Sequence, residues 1–352
     1  MLESARVEVP DSLEAANDWF EQERLGDGLP IVPPTEEHVL RMLAGTKRAP
    51  GEVVAHLPPR WAPASVEKIA INAVMAGCRP EYLPVVIAAV EALNAPEFNL
   101  YGIQATTGYV GPAVIVSGEI ARELKINAGT GCFGPGWRAN ATIGRAIRLI
   151  LLSIGGGTPG DMDRATFGWP GKYGFCFAED DTTNPWEPLR VERGFGVGQN
   201  TATVVGVNAF LPVVSQAALT GEATLDGMVK GLIGSGGGGH MRIGGFGSGT
   251  PVICFSPDTA SVVARDIHSK RDIQRYLWER AVQPLPPGAT DGGSLEELMA
   301  RCGNVTSDGI VHLSDTPEDI VIVVCGGPGG HCVLLPGWGG RNTRLVTQAI
   351  GD

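Results

Sequence analysis

Residues 111–124 read GPAVIVSGEIAREL, in which a run of apolar residues leads through a short polar turn into a helical pattern. A buried strand that continues directly into a helix is a building unit of α/β proteins. Residues 250–263, TPVICFSPDTASVV, have the same order of proline, apolar run, polar turn and helix. Together the two segments predict an internal duplication and a body made of two related α/β halves.

The surrounding sequence alternates between strand and helix patterns, which favours an α/β fold. Beyond residue 100, β-rich runs occupy 173–180, 201–210 and 319–327, and long helical patterns occupy 138–154 and 269–282. The first hundred residues are mostly helical in pattern, with helices predicted at 11–25, 36–45, 65–76 and 81–94. We therefore predict three regions, which can also form one continuous domain: a helical region 1–100, a first α/β half 101–200 and a second half 201–352.

Composition and charge restrict the class of partner. The chain has 352 residues, is 43% hydrophobic and carries a formal net charge of -11. No run of Lys or Arg provides the basic surface that nucleic acids or anionic membranes require, so neither partner is expected. The sequence has no secretory or transmembrane pattern, which predicts a cytoplasmic protein. Only 18% of residues are charged, and this favours a homo-oligomer.

Glycine is the unusual residue of this chain, with 50 copies. The glycines concentrate in three clusters, 129–136, 234–249 and 325–340, and each cluster contains a cysteine or a histidine. Glycine permits positive φ angles and lets backbone N–H groups come close to a ligand. The clusters therefore predict ligand-binding loops, with plain surface loops as the alternative for any one of them.

Cys132 lies in one of these clusters, a few residues before the helix predicted to begin near Arg138. The N-terminal end of a helix carries partial positive charge, which lowers the pKa of a nearby thiol and can hold a developing oxyanion. Arg138 adds positive charge to the same field, and Gly131 lets substrate approach the backbone. We predict that Cys132 is a thiolate nucleophile. A thiolate metal ligand and a merely tight loop before the helix are the alternatives.

The other cysteines carry weaker signals. The chain has seven cysteines without the paired spacing of a zinc ribbon or a disulfide scaffold, so reduced thiols are expected. Cys254 and Cys325 lie within apolar runs, and both are predicted to be buried.

A cysteine nucleophile needs a group that moves protons. His240, between four glycines and Met241, is the first choice, and Arg242 beside it suggests a second anion cradle. A reacting pair of His331 and Cys332 is the second choice. It ranks lower because the side chains of adjacent residues seldom face each other.

Acidic residues follow the strand predicted near residue 178. Glu179 could orient the histidine or act as a general acid, and Asp180 follows it directly. The alternative is a solvated acidic turn. Trp186 and Glu187 come shortly afterwards and could form a substrate wall.

Several long segments carry a family resemblance. VEKIAINAVMAGCRPEYLPVVIAAVEAL, INAGTGCFGPGWRANATIGRAIRLIL, GKYGFCFAEDDTTNPWEPLRVERGFG and SPDTASVVARDIHSKRDIQRYLWERA resemble the large bacterial proteins that accompany, or are fused to, the UGSC family of selenoproteins. The resemblance implies thiol or selenol chemistry and picks out Cys78 and Cys132. The chain has no Cys-Gly-Ser-Cys tetrapeptide, so a cysteine of that kind would come from a small partner subunit.

These patterns predict a cysteine-dependent hydrolase or lyase that acts at a carbon–heteroatom bond of a small polar or anionic molecule. The predicted catalytic residues are Cys132, His240 and Glu179. The predicted substrate-binding residues are Gly131, Arg138, Asn140, Asp180, Trp186, Glu187, Arg242, Cys78 and His331. No cofactor is predicted. The alternatives are a divalent-metal enzyme with ligands from Cys132, His240, His331 and Glu179, a thiol-redox protein, and a noncatalytic subunit of a UGSC-type complex.

Overall fold

The computed structural model describes residues 2–9, 11–214, 219–234, 249–290 and 292–351. Its α-helices are α1 (Leu13–Gln22), α2 (Glu36–Leu43), α3 (Val66–Ala76), α4 (Leu83–Asn94), α5 (Leu100–Ala105), α6 (Glu119–Glu123), α7 (Arg138–Ser153), α8 (Leu189–Glu192), α9 (Gly221–Gly234), α10 (Pro257–Ala264), α11 (Lys270–Arg280) and α12 (Leu295–Arg301). Its strands are β1 (Val53–Leu57), β2 (Ala62–Ser65), β3 (Gly111–Ser117), β4 (Cys176–Ala178), β5 (Thr201–Val207), β6 (Leu211–Val214), β7 (Val252–Phe255), β8 (Gln283–Pro284), β9 (Ile310–Val311), β10 (Val321–Val324), β11 (Cys332–Leu335) and β12 (Val346–Ala349).

Two four-stranded sheets form the centre of an α/β fold. Sheet 1 has the order β12-β5-β3-β4, and sheet 2 has the order β10-β7-β11-β6. In each sheet one edge pair is parallel, β3 with β4 and β7 with β10, and the remaining pairs are antiparallel. Sheet 2 therefore repeats the arrangement of sheet 1.

One edge strand of each sheet follows directly, along the chain, a strand of the other sheet. β6 follows β5 of sheet 1 directly but pairs with β11 of sheet 2, whereas β12 follows β11 and pairs with β5 of sheet 1. This exchange joins the two sheets into one body. The predicted duplication of the sequence stays a prediction, although the shared strand arrangement agrees with it.

Side-chain burial shows that the sheets pack in four layers. Along β3, Ala113 and Ile115 belong to a cluster shared with β7 and β10, whereas Val114 and Val116 pack with α3, α4 and α7. Along β7, Ile253 faces α9, α10 and α11 instead. The order is thus helices, sheet 1, sheet 2, helices. The apolar layer between the sheets is the cluster that Ala113 and Ile115 share with β7 and β10.

The helices and strands predicted from the sequence are present, with shorter bounds. α3 and α4 pack on sheet 1 within a single hydrophobic cluster, so the helical region 1–100 shares its core with the first half. The region also contains the antiparallel β1–β2 hairpin, which the helical reading of these residues missed. The pattern analysis likewise missed β6, β11 and β12, which are short.

Candidate functional site

The carboxyl ends of two parallel strand pairs meet between the sheets. Glu179 follows β4, and its N–H donates to the carbonyl of Val116 in β3 at 2.9 Å. Cys325 follows β10 in the same way, because its N–H donates to the carbonyl of Phe255 at the end of β7 at 3.0 Å. The Asp180 N–H then bridges the two sheets through the carbonyl of Val324, at 2.8 Å. Strand ends of this kind are common places for functional sites in α/β folds.

Two of the three glycine clusters come together at this place. The N–H of Gly326 donates to the carbonyl of Ala128 at 2.7 Å. A Cβ atom at Gly327 would lie 2.3 Å from the hydroxyl oxygen of Thr130, so only glycine allows this contact. The residues 127–134 and 325–331 therefore form one paired loop structure. The third cluster lies mostly outside the described residues.

Asn140 fixes the first of these loops to helix α7. The helix begins at Arg138, as predicted, and Asn140 is buried in its first turn. The Asn140 amide nitrogen donates to the carbonyls of Asn127 at 3.0 Å and Cys132 at 3.1 Å, and its oxygen accepts from the Asn127 N–H at 2.7 Å. Asn140 thus positions the Cys132 loop and has no polar atom left for substrate.

Three thiols form a chain in the layer between the sheets. Cys132, Cys254 and Cys325 lie in one hydrophobic cluster, where Cys325 is close enough to each of the other two thiols for the pair to affect each other's pKa. All three residues are buried, with 6% exposure for Cys132 and 4% for each of the others. Burial of Cys254 and Cys325 was predicted, but the chain of thiols was not.

The predicted lowering of the Cys132 pKa is wrong. The neighbouring Cys325 thiol and burial raise the pKa of Cys132 well above its ordinary value, although the N–H groups of Cys132 and Gly326 act in the opposite direction. For Cys325, the neighbouring Cys132 thiol lowers the pKa, but the Cys254 thiol and burial together raise it by more. In the resting structure the pair is therefore a neutral dithiol.

Glu179 is buried beside the thiols and has several polar partners. Its carboxylate accepts hydrogen bonds from the Ser117 hydroxyl at 2.7 Å and from the Leu189 N–H at 2.8 and 2.9 Å. The Asn184 amide donates at 3.1 Å, and the Lys270 ammonium lies 3.7 Å away. Burial raises the pKa of Glu179, while Lys270 and these hydrogen bonds oppose that rise. None of the described partners is a histidine, so the predicted orienting role is not seen here.

Asp180 is engaged in its own turn. It accepts hydrogen bonds from the backbone and hydroxyls of Thr182 and Thr183, which outweigh partial burial and lower its pKa. Asp181 is paired with Arg190 and is likewise occupied.

Several predicted substrate residues lie elsewhere. Trp186 is a core residue, since its ring packs against Phe255 and its N–H donates to the Ile267 carbonyl at 3.3 Å. The predicted substrate wall at this position is therefore wrong. Glu187 is exposed next to it.

Arg138 belongs to the surroundings of Cys78. Its guanidinium donates to the Gly77 carbonyl at 3.0 and 2.8 Å, and it opposes the burial that raises the pKa of Cys78 to about 12. The guanidinium is thus engaged beside Cys78, and a shared field with Cys132 stays a prediction. Cys78 is buried and donates to the Thr142 carbonyl at 3.3 Å.

The remaining predicted residues lie at the edge of the site or outside the described residues. Gly131 has a φ of 69° in the exposed part of the Cys132 loop, and His331 is exposed in the loop that carries Cys325. His240 and Arg242 lie outside the described residues. Within the described ranges, no three His, Cys, Asp or Glu side chains are arranged to hold a metal ion.

Comparison with known proteins adds no family. No protein-family model matches the chain, and no curated protein matches it significantly. The resemblance to UGSC-associated proteins therefore stays a prediction. Among the helices that the structure describes, none is both long and apolar enough to cross a membrane.

Proposed function

We propose that the protein is a thiol-dependent enzyme in which Cys132 and Cys325 act as a dithiol pair on a small organic molecule. The juxtaposition of the two cysteines carries this proposal: both lie in the apolar layer between the sheets, and Gly326, next to Cys325, donates to the Ala128 carbonyl of the Cys132 loop at 2.7 Å. The two cysteines lie on paired glycine loops, and the loop around Cys132 is exposed on both sides of the thiol. Cys132 is therefore the thiol that an incoming substrate reaches first.

A thiol pair can ionise one proton at a time. When one member loses its proton, the other thiol donates a hydrogen bond to the new thiolate, as occurs in dithiol active sites. The N–H groups of Cys132 and Gly326 favour the thiolate of Cys132 as well. This arrangement opposes the effect of burial during the reaction without a permanent thiolate in the resting protein.

The reaction that fits the pair is thiol–disulfide exchange. The Cys132 thiolate attacks one sulfur of a small organic disulfide, and the other half leaves as a thiolate that takes up a proton. The Cys325 thiolate then attacks Cys132 sulfur in the mixed disulfide and releases the second thiol. Two electrons pass from the protein to the substrate, and a Cys132–Cys325 disulfide remains until a further thiol reduces it.

A stoichiometric experiment tests this proposal. Reduced protein, freed of reductant, is mixed with dithiodiglycolate, and the released thioglycolate is measured. We expect two thiols per wild-type chain. Cys325→Ser should release one and keep a thioglycolate adduct on Cys132, and Cys132→Ser should release none.

The control is Cys176→Ser, which removes a buried thiol outside the layer between the sheets. It should release two thiols, like the wild type. If Cys132→Ser released thiol as fast as the wild type, the proposal would be overturned.

A second candidate is hydrolysis or elimination at a carbon–heteroatom bond with Cys132 as the only nucleophile. The exposed glycine loop beside the Cys132 thiol favours it, because a cysteine nucleophile that substrate can approach does not need a second thiol. Cys325→Ser separates the two candidates, since it stops the exchange cycle but leaves a single-cysteine reaction intact.

A further inference from the structure

A cavity of about 940 Å³ lies away from the thiols, between the N-terminal segment and the loop after α7. Residues 17–31 form one wall, and residues 158–173 form the other. The wall formed by residues 17–31 is held in place by side-chain hydrogen bonds. The Arg145 guanidinium donates to the Asp27 carboxylate at 2.7 and 2.9 Å, and the Asn17 side-chain oxygen accepts from the Ile31 N–H at 2.7 Å. A cavity of this volume is the size of sites that bind cofactor-sized molecules.

The cavity is lined by a buried arginine that forms no ion pair with any residue the structure describes. Arg148 of α7 is 8% exposed and lines the cavity, and its Nε donates to the Lys172 carbonyl at 2.7 Å. No acidic side chain in the described part of the chain lies within ion-pair distance of it. Burial lowers the pKa of Arg148, although the more distant charges of Asp163 and Asp27 oppose this.

The two nearest carboxylates are already engaged. Asp163 pairs with the Lys172 ammonium at 2.5 Å, and Asp27 is held by Arg145. A buried charge without a paired counter-ion is costly, so an anionic ligand that pairs with Arg148 would remove an unfavourable interaction when it binds. Asp18 and Glu21 also line the cavity, but both are exposed on α1 at its rim.

The rest of the lining favours an apolar body. Phe20, Leu152 and Trp169 face the cavity, and the indole N–H of Trp169 has no acceptor among the described residues. An aromatic or aliphatic group fits against these side chains, while an anionic group reaches the Arg148 guanidinium.

We propose that this cavity binds an organic anion with one carboxylate or phosphate group on an apolar body, held by Arg148. The site is separate from the proposed thiol chemistry and goes beyond it. Trp169 nevertheless also contacts Phe175, with ring centroids 5.7 Å apart, and both lie in the hydrophobic cluster of Cys132.

The test uses a pair of probes that differ only in charge. Binding of 1-naphthylacetate and of neutral 1-naphthylacetamide is measured by ligand-observed NMR, and inorganic phosphate is tested as a competitor. We expect 1-naphthylacetate to bind at least about tenfold more tightly than 1-naphthylacetamide, because a hydrogen-bonded ion pair adds that much affinity. Phosphate should displace the acetate.

Variants of one arginine then test the residue assignment. Arg148→Met should lose the preference for the acetate, and Arg148→Lys should keep part of it. Arg164→Met removes an exposed arginine of the same loop and serves as the control, which should bind like the wild type.

A stability measurement guards against loss of folding in the variant. Without ligand, Arg148→Met should melt at the same or a higher temperature, because it removes an uncompensated buried charge. Equal binding of acetate and amide, no binding of the acetate to the wild type, or unchanged preference in Arg148→Met would each overturn the proposal.

Discussion

At the scale of single residues, Cys132 is subject to opposing influences. Burial and the Cys325 thiol favour the neutral form, whereas two backbone N–H groups favour the thiolate. The net result is a raised pKa, so the resting thiol reacts poorly with electrophiles. Under the proposed function, reactivity depends on a substrate that enters between the glycine loops and meets both thiols.

The raised pKa predicts the pH profile of Cys132 alkylation. Site-resolved labelling with iodoacetamide should speed up through pH 10 without a plateau, since the thiolate fraction of the native protein keeps rising. The same cysteine in urea should level off once pH passes the free value of about 8.5. Slow access of iodoacetamide to Cys132 would by itself lower the labelling rate without shifting the pH at which that rate is half-maximal. A native plateau below pH 8 would contradict the raised pKa.

At the scale of elements, α7 is the helix that positions the site. Its start at Arg138 was predictable from the glycine loop and the helical pattern that follows it. The packing of its other side was not predictable. Backbones that approach each other at glycines leave no pattern of apolar side chains in the sequence. A Cβ at Gly144 would lie 2.6 Å from the Phe175 nitrogen, and one at Gly174 would lie 2.5 Å from the Arg145 nitrogen.

This contact predicts opposite effects for two glycine substitutions in helices. Gly144→Ala should lower the free energy of unfolding by about 1–3 kcal/mol, because the methyl group forces α7 away from the strand beside it. Gly227→Ala in α9 is the matched control, since nothing lies within 4 Å of its Cβ position. It should raise the free energy of unfolding by about 0.5–1 kcal/mol. Urea unfolding measures both, and equal effects would contradict the packing.

At the scale of the whole molecule, the site exists because two sheets stack. Local patterns identified the strands that end just before Glu179 and Cys325, but the sequence does not say that those ends meet. Cys254 and Cys325 were correctly predicted as buried, yet their place in one cluster with Cys132 depends on long-range packing between β7, β10 and the loop before α7. The same limit applies to Arg148, whose cavity is closed by a segment more than a hundred residues earlier in the chain.

The most direct test of the central claim is disulfide mapping after mild oxidation. Native protein is treated with diamide, remaining thiols are blocked in denaturant, and the peptides are analysed by mass spectrometry. We expect the loss of two hydrogen atoms per chain and one disulfide, between Cys132 and Cys325, while Cys78 and Cys176 stay reduced. A disulfide between Cys325 and Cys254 instead, or a chain that keeps all its thiols, would contradict the proposed pair.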